Sequence, residues 1–264
     1  MKKSIQHLVV FIVLAFLYLP ILILTFYSFT SSTMIGSVRG FSLDNYVTLF
    51  TEPALLSMMG GTVVLALGVG MLSTILGSLS AIGSFYSKSG TRLFVELAND
   101  IPIANADVVT GFSVCILTIV IFGIDKSTFV PLVVAQTALC APFVYLSVMP
   151  RLKSMDPALF EAALDLGATP AKAMIKVVIP HIFPGILSGF MTAITLSLDD
   201  YFIATYTKPA TFDTISTYVV NATRGSQTQI KTALWALSAI IFALVVIAVV
   251  LMNINKTDAE EERI

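Results

Sequence analysis

The chain has 264 residues, 56% of them hydrophobic and only 12% charged, with a net charge of −1 and a mean hydropathy of +0.91. Soluble domains carry about a quarter charged residues, so this composition excludes an ordinary water-soluble globule. The near-zero charge, with no basic stripe interleaved with aromatics, excludes a nucleic-acid partner. Cys115 and Cys140 both lie in apolar runs and form neither a CxxC nor a Cys/His metal spacing, so they read as small packing residues. His7 and His181 stand alone near the ends of such runs.

Apolar runs of about 18 residues or more match the hydrocarbon core of a bilayer. Met1-Lys2-Lys3 precedes the first of them, 8–29, which is too long for the apolar part of a signal peptide and is closed by no small-residue cleavage site. It reads as a retained transmembrane helix. Five more spans are expected at about 57–85, 100–122, 128–149, 182–206 and 230–252. The fold class is therefore all-α, a polytopic membrane protein of six transmembrane helices forming a single domain over 1–264. With the N-terminus inside, the cytoplasmic segments hold Lys2, Lys3, Lys88, Arg92, Arg151, Lys153, Lys172, Lys176, Lys256 and Arg263. The outer segments hold Arg39, Lys126, Lys208, Arg224 and Lys231. Ten against five places both termini in the cytoplasm by the positive-inside rule. The tail over 256–264, rich in glutamate, reads as a frayed, solvated end.

Two spans carry a small residue at every fourth position: Ser73, Gly77 and Ala81 in the second, and Gly185, Gly189, Ala193 and Ser197 in the fifth. Such stripes let helices approach closely in lipid. They predict bundle packing and a central or partner-facing fifth span. Prolines 20, 102, 131 and 142 lie in or at the start of spans, where each removes a backbone donor.

The cytoplasmic segment 151–181 is dense in helix punctuation. Asp156-Pro157 pairs an N-cap with a first-turn proline, 158–166 is strong helix former, and Gly167 suits a left-handed helix end. Thr169-Pro170 repeats the start signal, and Pro180 is expected to stop a second helix at Val178. Two short helices joined at a glycine suit docking into a groove on another protein. From these residues alone, a purely structural loop is an equal reading.

Glu161-Ala162-Ala163, then Gly167, then Ile179-Pro180, resembles the EAA loop of binding-protein-dependent ABC importer permeases, with Ile179 directly before the proline where many members interpose a leucine. The resemblance implies a MetI-like bundle in the bacterial plasma (inner) membrane. It implies a coupling helix that inserts into an ATPase subunit, with Glu161, Ala162, Ala163, Asp165 and Gly167 as coupling residues. The chain has no Walker A sequence, so it is expected to be no enzyme by itself and to bind no cofactor. ATP and Mg would belong to the partner ATPase.

Acids within the spans are costly, about 2.5–3.5 kcal/mol each on insertion scales, and tend to face a cavity. Asp107 lies in the third span; Asp199 and Asp200 lie in the fifth, ahead of Tyr201 and Tyr206. Neither span holds a lysine or arginine beside them before Lys208. A cationic ligand, or protonation, is the expected counterpart. On helical geometry Asp200 falls on the small-residue stripe and Asp199 a quarter turn away. Asp107 and Asp199 fall at different depths unless the third helix breaks at Pro102. A tyrosine face can hold an ammonium group, although Tyr206 reads better as part of the interfacial aromatic belt.

Tyr18-Leu19-Pro20-Ile21, Ser28-Phe29, the Ser-x-Asp-Asp of 197–200 and the EAA loop together resemble the permeases of spermidine/putrescine importers, from about residue 15 to 250. This implies a polyamine substrate and a path through Asp107 and Asp199; Asp200 and Tyr201, beside Asp199, are further candidates for it. It also implies a second, related permease forming a heterodimer, two ATPase subunits and an extracytoplasmic polyamine-binding protein. The outer loops, 30–56 and 207–229, are expected to meet that binding protein. The rival readings are an ion-coupled secondary transporter, a permease for another small solute and an intramembrane enzyme. No repeat between the halves and no HExxH or GxSxG pattern supports the first or the last.

Overall fold

In the computed structural model, residues 2–32, 40–156, 158–224, 232–243 and 246 are described. Pro157 and the tail 256–264 lie outside the described residues. Twelve helices are described in chain order. They are α1 (Lys2–Ser28), α2 (Asp44–Thr51), α3 (Pro53–Tyr86), α4 (Ser89–Ala104), α5 (Asp107–Ile116), α6 (Val130–Ser154), α7 (Ala158–Asp165), α8 (Pro170–Ala173), α9 (Ile179–Asp199), α10 (Phe202–Thr207), α11 (Ile215–Arg224) and α12 (Thr232–Ala243). Among the described residues, four stretches are long and apolar enough to cross a membrane: His7–Ser28, Pro53–Tyr86, Val130–Ser154 and Pro170–Asp199. The chain is a multi-pass membrane protein, and α12 falls within the expected sixth span.

Two compact units divide the chain, Met1–Ser57 with Val219–Ile264, and Met58–Tyr218. In the first, α1 and α12 meet through aromatic pairs, Tyr18 with Phe242 and Tyr27 with Trp235, whose ring centroids lie 6.4 and 5.8 Å apart. Asn45 on α2 donates to the Ser28 and Thr30 carbonyls at 3.0 and 3.1 Å, satisfying the orphan acceptors at the end of α1.

The second unit is built around α6. Val144, fully buried, stands between the two small-residue stripes. A Cβ placed on Gly77 of α3 would lie 2.5 Å from the Ala141 oxygen and 2.7 Å from the Val144 Cβ. One on Gly189 of α9 would lie 3.1 Å from the Val144 Cα, and one on Gly185 would lie 2.9 Å from the Ser147 oxygen. The stripes thus pack on α6 within the chain, where absent side chains let backbones approach and dispersion contacts accumulate. The core follows from this, with Val69, Leu132, Val148, Leu152, Val178 and Ile182 all fully buried.

Two expectations are corrected. The third span is not one helix from 100 to 122. The backbone leaves helical geometry at Asn105 and Ala106, with ψ of 150° and 136°, and α4 and α5 (with its continuation Leu117–Ile121) meet at 110°. Pro102 lies inside α4 rather than at the break. The second correction concerns Pro180, which does not end the second loop helix. A π turn over Met174–Val178 carries α8 into α9, so that Pro170–Asp199 runs as one 30-residue span. Widening to i→i+5 bonding just ahead of the proline relieves its clash with the preceding turn.

Candidate functional site

Asp199 ends α9, and the chain turns at Asp200. Asp200 is extended, with φ −65° and ψ 116°, before α10 begins. Its carboxylate caps the new helix: Ile203 N–H donates to Oδ1 and Ala204 N–H to Oδ2, both at 3.0 Å. Gln136 of α6 donates its amide to the same Oδ2 at 2.9 Å, and the Ser197 hydroxyl donates to the Gln136 oxygen at 2.8 Å. Gln136 is fully buried, Ser197 1% exposed and Asp200 8% exposed. No lysine or arginine among the described residues forms an ion pair with Asp200; its three hydrogen bonds stand in for one. Hydrogen bonds to a charged group contribute about 1.5–3 kcal/mol each and offset part of the cost of burying this carboxyl.

Asp199 is exposed, and Tyr201 is half-buried with its ring 5.2 Å from that of Phe202. Asp107 begins α5 and is exposed. α5 and α10 run parallel. A Cβ on Gly111 would lie 2.9 Å from the Ile203 Cα, and four residues further the Cys115 thiol donates to the Tyr206 carbonyl at 3.3 Å. One turn before Gly111, Asp107 comes near the start of α10, within electrostatic reach of Asp200. The break at Asn105–Ala106 produces this. Asn105 steadies the turn by donating its amide to the Thr110 hydroxyl at 3.1 Å. Gln136 was missed on sequence; its signal was a lone amide inside an apolar span.

At the other end of α6, α7 is held to the bundle by one face. Phe160 packs on Tyr86 of α3 at 5.3 Å between ring centroids. Asp156 Oδ1 accepts from Ala158 N–H at 2.9 Å. Gly167 takes φ +82°, Gly167 N–H donates to the Leu164 carbonyl at 2.8 Å, and Ala168 N–H donates to that of Ala163 at 3.0 Å. This pair of bonds is the Schellman closure of a helix. Thr169 caps α8 through the Lys172 N–H. Ala163 is half-buried, whereas Glu161, Ala162, Asp165 and Gly167 are exposed; Leu166 is 89% exposed. The loop thus presents an acidic and apolar outer face on a closed scaffold.

A cleft of about 390 Å³ opens between the α5–α6 loop and the α10–α11 connection, lined by Lys126, Ser127, Thr205, Lys208, Pro209, Ala210 and Thr211. It lies at the opposite end of α6 from α7. Lys208 is already engaged there by Asp213 at 2.9 Å.

The putrescine transport system permease protein PotI of Escherichia coli (strain K12) is 31% identical over 219 residues, 79% of this chain and 76% of that protein. The spermidine/putrescine transport system permease protein PotC of Haemophilus influenzae is 29% identical over 246 residues, 93% of this chain and 95% of its own length. Among solved structures, a bacterial ABC transporter involved in the import of the acidic polysaccharide alginate has a chain of similar fold, with TM-score 0.71 at 22% identity over 97% of this chain and 94% of that one. The family described as "Binding-protein-dependent transport system inner membrane component" matches residues 1–257, and the chain belongs to it.

Proposed function

We propose that this chain is a permease subunit of an ATP-driven polyamine importer. A cationic substrate passes Asp107, Asp199 and Tyr201 by alternating access. The observation that carries the polyamine reading is two exposed carboxylates with no basic ion-pair partner among the described residues, Asp107 at the start of α5 and Asp199 at the end of α9. They lie in a chain whose relatives along most of its length serve putrescine and spermidine/putrescine systems. Two exposed acids on different helices suit a ligand with separated ammonium groups, and the neighbouring tyrosine adds a π face. Asp200 differs: it is consumed as a cap and supports the path from behind.

The exposed face of α7 docks into an ATPase subunit, and Glu161, Ala162, Ala163, Asp165 and Gly167 form the coupling loop. The loop's shape supports this: one face anchored at Phe160, the other free with Leu166 at its tip. The full transporter pairs this chain with a related permease, two ATPase subunits that bind ATP and Mg, and an extracytoplasmic binding protein. Both termini are cytoplasmic. The test is a competition series on binding-protein-dependent uptake in vesicles. Spermidine and putrescine are expected to compete with labelled substrate, and neutral sugars and anionic solutes are not. Competition by a sugar alone would overturn the polyamine assignment while leaving the importer class intact.

A further inference from the structure

Among the described residues, Gln136 is the one long polar side chain with no measurable exposure, and it sits where α9 hands over to α10. An amide here does what no apolar residue can. Its oxygen accepts from Ser197, the last small residue of the α9 stripe, and its nitrogen donates to Asp200, the cap of α10. It thereby ties both sides of the turn to α6. Asp199 and Tyr201 flank Asp200 directly, so their placement is set by the same turn. A second tether acts from α11, where the Ser216 hydroxyl donates to the Leu198 carbonyl at 2.8 Å. That bond fixes the end of α9 alone, whereas Gln136 spans the break.

We infer that Gln136 is a positioning residue for substrate passage: by bridging Ser197 and Asp200 it fixes the α9–α10 turn and so aims Asp199 into the path. This rests on Asp199 lining that path. A packing role would be met by a leucine or methionine of similar volume, and any loss would follow the amount of folded protein. A positioning role shows itself in the apparent affinity of the protein that does fold.

The experiment uses the complete transporter in liposomes, normalised to the permease that co-purifies with its ATPase subunits. Uptake of labelled spermidine is measured for wild type, Gln136→Leu, Gln136→Glu, the double variant Gln136→Glu with Asp200→Asn, and Asp199→Asn. Gln136→Leu removes both bonds. Gln136→Glu keeps the acceptor for Ser197 but faces Asp200 with a second acid. The double variant restores a donor–acceptor pair with the roles exchanged. The expected result is an apparent KM raised about tenfold or more in both single variants, the scale of one lost charge-assisted bond, with recovery to within about threefold in the double variant. An unchanged KM in assembled single variants would overturn the inference, as would a loss that follows only the yield of complex or a double variant no better than its parents. If Asp199→Asn impairs uptake and the Gln136 variants do not, only the positioning role fails. If Asp199→Asn leaves uptake untouched, Asp199 does not line the path and both assignments fall.

Discussion

Asp199 and Asp200 are neighbours in the chain and opposites in the structure: Asp199 is exposed at the end of α9, whereas Asp200 is buried and accepts three hydrogen bonds as it opens α10. Their substitutions should therefore separate transport from stability. Asp200→Ala removes the cap and leaves the Gln136 amide buried without a partner, a loss of about 2–4 kcal/mol. Asp199→Asn should stay within about 0.5 kcal/mol of wild type in stability yet lose most uptake. Thermal unfolding of the purified protein in detergent, set beside uptake per assembled complex, checks both.

Much of this site was legible in the sequence, and what was not has a physical cause. The small-residue stripes identified the close contacts of α3 and α9, now seen on Val144. Helical geometry put Asp200 on the packed stripe and Asp199 off it. Gly167 announced the helix end, because glycine takes φ +82° at no steric cost. The break between α4 and α5 was missed because the expected span began at 100, near the end of the more polar, amphipathic α4, and ran on across it. Pro102 hinted at a disturbance, but the extended residues are Asn105 and Ala106. The π turn before Pro180 left no sequence mark at all. Gln136 carried the one unread signal, since an uncharged amide in an apolar span contributes little to a charge count.

The glycines of α3 and the coupling loop should fail for different reasons. Gly77→Val would drive side-chain atoms into the Ala141 carbonyl and Val144, an overpacking cost of about 1–3 kcal/mol. That is expected as lower thermal stability and yield. Gly167 has open space around its Cα but a left-handed backbone. Gly167→Val should cost about 1–2 kcal/mol locally, with little change in the melting of the bundle and a marked fall in transport-linked ATP hydrolysis. Gly167→Asn, which tolerates that backbone, should retain most of it.

The outward face of α7 should decide association with the ATPase. Leu166→Glu puts a charge where an almost fully exposed leucine now stands. Co-purification of the ATPase subunits is expected to fall about tenfold or more, in keeping with loss of a buried interface anchor of 1.4 kcal/mol or larger. Glu161→Ala should lower ATP hydrolysis coupled to uptake while the permease folds normally. Undiminished association in the Leu166 variant would place the contact elsewhere on the loop.

Thiol labelling reads the helix break directly. The native Cys115 and Cys140 are buried and should resist a water-soluble thiol reagent in the folded protein. Asp107→Cys, at the exposed start of α5, should label readily in the assembled transporter. A continuous third helix facing lipid would instead leave position 107 unreactive.

The most direct test of the central claim is uptake of radiolabelled spermidine and putrescine into liposomes carrying the complete transporter with its binding protein, energised either by ATP or by a proton gradient alone. The expected result is uptake with ATP only, lost in Asp199→Asn and in Glu161→Ala complexes that assemble normally. Uptake on a proton gradient with the ATPase subunits absent would contradict it.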